Sequence, residues 1–251
     1  MKLATLPGAP DVGALSVVDE EAAAQAGADM LLGVTDGRLA MWRPDGHETP
    51  LCVDFDGGQL GYRLAADRVR HERLVRAVGK ISDNGMLVDA TAGLGRDAAL
   101  LARAGWQVTM LERQPVLQAL LADGLARSRE LAGRMALVNK DSVAWLTEHP
   151  RVAEVVYLDP MFPERDKSAA IKKELLWLQW LCGSDSAASE ALLLQAAMTA
   201  ARRRVVVKRP LRAPPLAGHT PASSLTGKTV RFDIYPCHPA WQPRSSRGGN
   251  G

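Results

Sequence analysis

The sequence predicts an α/β protein with a mostly parallel sheet, preceded by a small α+β subdomain. Three observations carry this. From Met86 onward, short apolar runs alternate with helix-period segments, the pattern of parallel strands joined by right-handed crossovers. The first of these runs ends in a glycine turn, Gly93-Leu94-Gly95, that opens a helix. Before Met86 the texture changes, and Asp36-Gly37 sits between two apolar runs, the strongest short-range hairpin signal.

In chain order, Met30–Val34 and Arg38–Trp42 are the arms of that hairpin, and Leu51–Phe55 is a further strand closed by Gly57-Gly58. Val69, Leu74, Val75 and Val78, with arginines between them, predict one helix over 67–78. Strands follow at 86–90, 107–111, 135–139, 154–158 and 204–208, with helices at 96–104, 115–128, 141–148, 168–182 and 187–201. A Pro/Ser/Thr/Gly-rich loop over 213–227 leads to a last strand at 230–235, which can pair antiparallel at or near the sheet edge. Beyond Pro236 the chain has nothing to bury and is expected to be a mobile basic tail. The expected division is a subdomain over 1–80, a main domain over 81–236 and the tail over 237–251.

With 47% hydrophobic and 24% charged residues, the 251-residue chain is of ordinary globular composition. No apolar run approaches the roughly 20 residues that span a bilayer. Met1–Pro7 is too short an apolar stretch for a secretory signal, so a cytoplasmic protein is expected. Cys52, Cys182 and Cys237 are odd in number and far apart, and His47, His71, His149, His219 and His238 lack paired ligand spacing. Neither a disulfide framework nor a metal site is expected. The net charge of +3 says little about partners, but basic residues cluster: Arg63 to Arg76, Lys167 to Lys173, and Arg202 to Arg212. Solvated faces explain any one cluster; three near a candidate active loop suit a phosphate-rich substrate.

Gly93-Leu94-Gly95-Arg96-Asp97-Ala98 satisfies a nucleotide-binding fingerprint, and Glu112 ends the next strand about twenty residues on, where a ribose partner is expected. To this point a nicotinamide enzyme fits as well as a methyltransferase. Three details favour S-adenosylmethionine. Asp89, just before the glycines, can face the methionyl ammonium and would sit badly beside pyrophosphate. Asp97 adds a second acid at the helix start, although the helix dipole alone also favours one there. Asp141-Ser142 after the third strand can meet the adenine amine, and Asp141 can equally be an N-cap.

Asp159-Pro160-Met161-Phe162 leaves the strand that ends at Leu158. Asp159 and the Pro160 carbonyl can accept from an exocyclic NH2, while Phe162 offers a stacking face, so these three are the candidate catalytic residues. The bland reading is a structural strand exit, since Asp-Pro often starts turns. An amine so held would present its nitrogen to a donor in the glycine loop, and a stacked base would first have to be splayed out.

The strings Val88–Asp97, Met110–Arg113, Val155–Pro163 and Val205–Pro210, with Gly13–Val17, Val53–Phe55 and Arg231–Tyr235, resemble the ribosomal RNA small subunit methyltransferase J family over about residues 13–236. The resemblance implies a class I, Rossmann-like fold with a seven-stranded, mostly parallel sheet, S-adenosylmethionine as methyl donor, and the N2 amine of a guanine near the 3′ end of 16S rRNA as target. It implies cofactor contacts at Arg96, Asp97, Glu112, Arg113, Asp141, Ser142 and Asp159, joining Asp89, Gly93 and Gly95. Arg70 matches a basic position of the family, although this chain reads Ala66–His71 where the family has a glycine-rich stretch. Arg70, Lys172, Lys173, Lys208 and Arg209 are the candidate RNA contacts; for Lys208 and Arg209, salt bridges to nearby carboxylates are the alternative. The expected partner is 16S rRNA or the 30S subunit. Rival readings are a methyltransferase for adenine N6 in DNA or a protein glutamine, a non-catalytic RNA-binding assembly factor, and an NAD-dependent oxidoreductase.

Overall fold

The computed structural model describes residues 1–46, 48–81, 85–161, 173–183, 186–237 and 244–245, with backbone alone at 173–175 and 244–245. The N-terminal elements are β1 (Leu3–Thr5), β2 (Leu15–Ser16), α1 (Glu20–Gln25), β3 (Met30–Thr35), β4 (Arg38–Trp42), β5 (Leu51–Cys52), α2 (Gly58–Leu64), α3 (Ala66–Val69) and α4 (Arg73–Val78). The strands form one sheet in the order β2-β1-β3-β4-β5. The hairpin is as expected: Thr35 pairs with Arg38 across a two-residue turn whose residues both have positive φ, 51° and 70°. β1, β2, α1 and α2 carry no clear periodicity and are new.

Two expectations here need correction. Only Leu51-Cys52 is strand; Val53 and Phe55 instead bury their side chains beneath the glycine turn and α6 (below), where Gly95 and Gly124 make room. The single helix over 67–78 is two, because the polar run Arg70-His71-Glu72 leaves no core residue for a continuous stripe. Glu72 is extended at the N-cap of α4 (ψ 132°), its carboxylate gripped by Arg63 through bonds of 2.8 and 3.0 Å.

The second part alternates as predicted: β6 (Met86–Asp89), α5 (Arg96–Arg103), β7 (Gln107–Glu112), α6 (Pro115–Arg127), β8 (Met135–Asn139), α7 (Ser142–Glu148), β9 (Ala153–Leu158), α8 (Lys173–Cys182), α9 (Ala187–Ala200) and β10 (Ala201–Pro210). After them come β11 (His219–Thr220), β12 (Ser223–Thr226), β13 (Val230–Pro236) and β14 (Arg244–Ser245). The main sheet has seven strands in the order β12-β13-β10-β9-β6-β7-β8. β13 is antiparallel to β10, and its outer neighbour β12 is the strand hidden in the expected 213–227 loop, where the serines and threonines give no apolar alternation. In the expected tail, β14 pairs with β11.

β9 is buried along its whole length, as a central parallel strand must be. Its side chains alternate: Val155 and Tyr157 join the large cluster under α5, α6 and the N-terminal sheet, while Val156 and Leu158 join the cluster with residues of α7 and α9. Met30, Met41 and Phe55 share the first cluster with Leu100 and Leu121, so the two sheets are packed through one continuous core.

This order positions the site. β6, β7 and β8 run outward in one direction, and the chain then returns to lay β9 on the other side of β6. The reversal opens a crevice at the carboxyl ends of β6 and β9, the place where such sheets bind ligands.

Candidate active site

The loops leaving β6 and β9 are tied together by hydrogen bonds. Asp89, the last residue of β6, accepts from the Thr91 N–H at 3.1 Å. The Thr91 hydroxyl oxygen then accepts from the Asp159 N–H at 2.6 Å. The next loop is joined by Ser142, whose hydroxyl donates to the Ala90 carbonyl at 2.6 Å. Three strand ends thus share one hydrogen-bonded rim, bordering a cleft of ≈ 570 Å³.

The acids around the cleft are not equivalent. Asp89 is 1% exposed, and burial pushes its carboxyl up to about 8 against the Thr91 N–H and Lys208. Glu112 is also raised by burial, although it accepts from the Gly93, Arg113 and Gln114 N–H groups at 2.8–3.0 Å. Burial works to raise Asp97 too. There the Lys208 ammonium, the Tyr157 hydroxyl at 2.6 Å and the Arg63 charge outweigh it and hold the carboxyl below its ordinary value. Asp141 caps α7 through Ala144 N–H and pairs with Arg113 at 3.1 Å. The capping role and a place in the cleft wall coexist.

The cleft wall includes Asp89, Gly93, Arg96, Asp97, Glu112, Arg113, Asp141, Ser142, Asp159 and Pro160. Gly95 lies beneath it, where a Cβ would fall 2.7 Å from Leu121 and 3.2 Å from Phe55. Phe162 and Lys172 lie outside the described residues, as does the side chain of Lys173. Arg70 is exposed on the surface after α3, its Nε 3.2 Å from the His71 ring.

Two of the candidate RNA contacts, Lys208 and Arg209, have charged partners within the protein, the alternative that their sequence position offered. Lys208 does not reach outward: its ammonium lies between Asp97 at 2.8 Å and Asp159 at 2.7 Å. Arg209 is 1% exposed and donates through Nε and Nη2 to the Pro214 carbonyl, with Glu190 3.5 Å away. Strand alternation sends the two side chains to opposite faces of β10, and both find partners inside the molecule. Thr91, Tyr157 and Arg63 escaped the sequence reading, which for Lys208 did offer salt bridges to nearby carboxylates as the alternative. The Asp89-x-Thr91 spacing, which favours a local side-chain to backbone bond, is the one signal that could have found Thr91. Arg63 enters from the N-terminal part and has no such signal.

The donor set suits a zwitterionic, cationic ligand. Asp89, Asp97, Glu112 and Asp159 converge on one cleft. The Gly93 N–H, which a pyrophosphate would need, is already given to Glu112 at 3.0 Å. At Gly93 itself, space for a ligand is open, with nothing nearer a built Cβ than the Thr91 carbonyl at 3.9 Å. A switch-point cleft, a glycine turn facing carboxylates and an Asp-Pro exit loop together define a Rossmann-like, class I S-adenosylmethionine-dependent methyltransferase.

Comparison with known proteins carries this further. Residues 18–237 match the family described as "Putative SAM-dependent methyltransferase". A Ribosomal RNA small subunit methyltransferase J of Alcanivorax borkumensis is 51% identical over 239 residues, covering 94% of this chain and 96% of its own. Its counterpart in Thioalkalivibrio sulfidiphilus is also 51% identical, over 84% of this chain and 86% of that one. The crystal structure of a SAM-dependent methyltransferase from Neisseria gonorrhoeae superposes with a TM-score of 0.69 at 27% identity, covering 95% and 97% of the two chains. The chain belongs to the ribosomal RNA small subunit methyltransferase J family, and its cofactor is S-adenosylmethionine.

Proposed function

We propose that this protein methylates the exocyclic N2 amine of a guanine near the 3′ end of 16S rRNA, in the cytoplasm, on naked RNA or the 30S subunit. The observation that carries the reading is the 2.6 Å bond from the Asp159 N–H to Thr91, which joins the amine-presenting loop to the cofactor loop. The names of the relatives support ribosomal RNA as substrate, and the Asp159-Pro160-Met161-Phe162 sequence supports a planar amine.

When bound, S-adenosylmethionine supplies a methyl group on a positively charged sulfur, electrophilic toward a nitrogen lone pair. Asp89 and Asp97 would meet its charged amino-acid end, Glu112 its ribose, and Arg113, Asp141 and Ser142 its adenine side, with Gly93, Gly95 and Arg96 shaping the turn. Asp159 and the Pro160 carbonyl accept from the two N–H groups of the guanine amine. Those bonds orient the nitrogen and oppose delocalisation of its lone pair into the ring; alignment of this kind supplies several kcal/mol of barrier reduction. The proton leaving nitrogen passes to Asp159 or to water. Phe162 stacks on the base, which enters unpaired or splayed out. Residues 1–80 serve as the small subdomain, 81–236 as the catalytic domain and 237–251 as a basic tail, with Arg70, Lys172 and Lys173 toward RNA phosphates.

Asp159→Ala tests the assignment. Transfer should be abolished while cofactor affinity stays within roughly tenfold, about 1.4 kcal/mol. Equal losses in both would make Asp159 a cofactor ligand only. Mass mapping of 16S rRNA from cells with and without the protein tests the substrate, and an unchanged guanine pattern would overturn it.

A further inference from the structure

We propose that Lys208 is a positioning residue of the transfer site, clamping Oδ2 of Asp159 so that Oδ1 is presented to the incoming amine. The inference rests on the reading of Asp159 as the amine's acceptor. β10 lies beside β9, with Val207 opposite Leu158, so Lys208 emerges level with Asp159 at the carboxyl edge. Val206 packs in the cluster that contains Tyr157, and Val205 and Val207 pack in the opposite one. Alternation therefore places Lys208 on the Tyr157 face, where Asp97 stands at the start of α5. The ammonium reaches Oδ2 of Asp97 at 2.8 Å and Oδ2 of Asp159 at 2.7 Å, and the Tyr157 hydroxyl donates to the same Asp97 oxygen at 2.6 Å. One cation thus joins a cofactor-side acid to the target-side acid.

The consequence is electrostatic. Burial raises the Asp159 carboxyl from its ordinary value and the Asp97 charge adds to the rise; Lys208 and, more weakly, Arg209 oppose it. For Lys208, burial alone would favour the neutral amine, but Asp159 and Asp97 more than reverse this and keep it charged. Among the described residues, the other charged or titratable groups facing the cluster are Asp89 at the end of β6 and Arg63 on α2. Without the lysine, two acids that both touch one nitrogen would face each other, and one of them would hold a proton. A protonated Asp159 loses acceptor capacity toward the amine. Lys208 itself gives and takes no proton in the transfer; the proton from nitrogen still leaves to Asp159 or water.

The test uses the full chain labelled with 13C at aspartate carboxyls, with the Asp159 resonance identified by its loss in Asp159→Asn. In Lys208→Met the Asp159 midpoint should rise by at least about one pH unit, and Lys208→Arg should restore most of the difference. In single-turnover methylation of 16S rRNA at saturating cofactor, Lys208→Met should lose roughly 30- to 100-fold in rate. Its acid limb should move to higher pH, and Lys208→Arg should recover the limb. An Asp159 titration unchanged by Lys208→Met overturns the proposal, as does equal rate loss in both variants with the acid limb unmoved. Failure of the unmodified protein to methylate rRNA would remove the substrate reading, and the carboxyl titration would still decide the role of the lysine.

Discussion

Thr91→Val isolates the bond that holds the two loops together. Valine keeps the volume and branching of threonine but removes the oxygen that accepts from the Asp159 N–H at 2.6 Å. The Thr91 N–H bond to Asp89 at 3.1 Å survives, because it is made by backbone. The half-buried Asp159 N–H is left without this acceptor, which costs about 1–3 kcal/mol. The long 3.5 Å contact from the Thr91 hydroxyl to Asp89 adds little. Urea unfolding should therefore show a loss of about 1–3 kcal/mol with an unchanged slope. If the Asp159 loop drifts by the order of 1 Å, the transfer rate should fall by up to ~100-fold. Cofactor affinity by calorimetry should stay within a few-fold, since none of the proposed ligands is altered, and Thr91→Ser should restore both quantities. A Thr91→Val protein with wild-type transfer rate and a stability loss below about 0.5 kcal/mol would refute the idea that this bond aligns the two half-sites.

The two glycines of the turn should fail in different ways. Gly95 has φ 70° and a built Cβ only 2.7 Å from Leu121 Cδ2, so Gly95→Ala should lose about 2–5 kcal/mol of stability, from left-handed strain and overpacking together. Gly93 has φ 54° but open space around it; Gly93→Ala should cost only about 1–2 kcal/mol of stability and more than ~10-fold in cofactor affinity, and a melting curve beside a binding isotherm separates the two. The Asp89 carboxyl, raised to about 8 by burial, favours the folded protein fully below the unfolded value of about 4 and loses that contribution as pH rises through the folded value. A cationic ligand would ionise it, so cofactor binding near pH 7 should release close to one proton; heats that are equal in buffers of different ionisation enthalpy would contradict this, and Asp89→Asn should abolish the release.

What the sequence shows and what it hides divide along physical lines. The parallel strands were legible because each is a short apolar run, and the central one, β9, is buried on both faces. Asp89, Glu112 and Asp159 were legible because an acid that ends such a run stands at the carboxyl edge of the sheet. β12 was not, since an edge strand of Ser223-Ser224-Leu225-Thr226 buries too little to leave an alternating pattern. Nor were the partners of the charged groups. Lys208 and Arg209 are adjacent basic residues at a strand end, and as sequence they read equally as surface contacts or ion pairs. What decided between these was the third dimension: α5 brings Asp97 over the Tyr157 face of the sheet, and the segment ending at Pro214 folds back over the other. Long-range pairs such as Lys208 with Asp97 connect residues more than a hundred positions apart, and no local period records them. The same distance explains why the cation matters to mechanism. A charge that must be delivered from another strand to meet two acids at once constrains three elements together, and a purely local substitute, such as a neighbouring backbone N–H donated to the Asp159 carboxylate, could not hold the Asp97 and Asp159 carboxylates to one another.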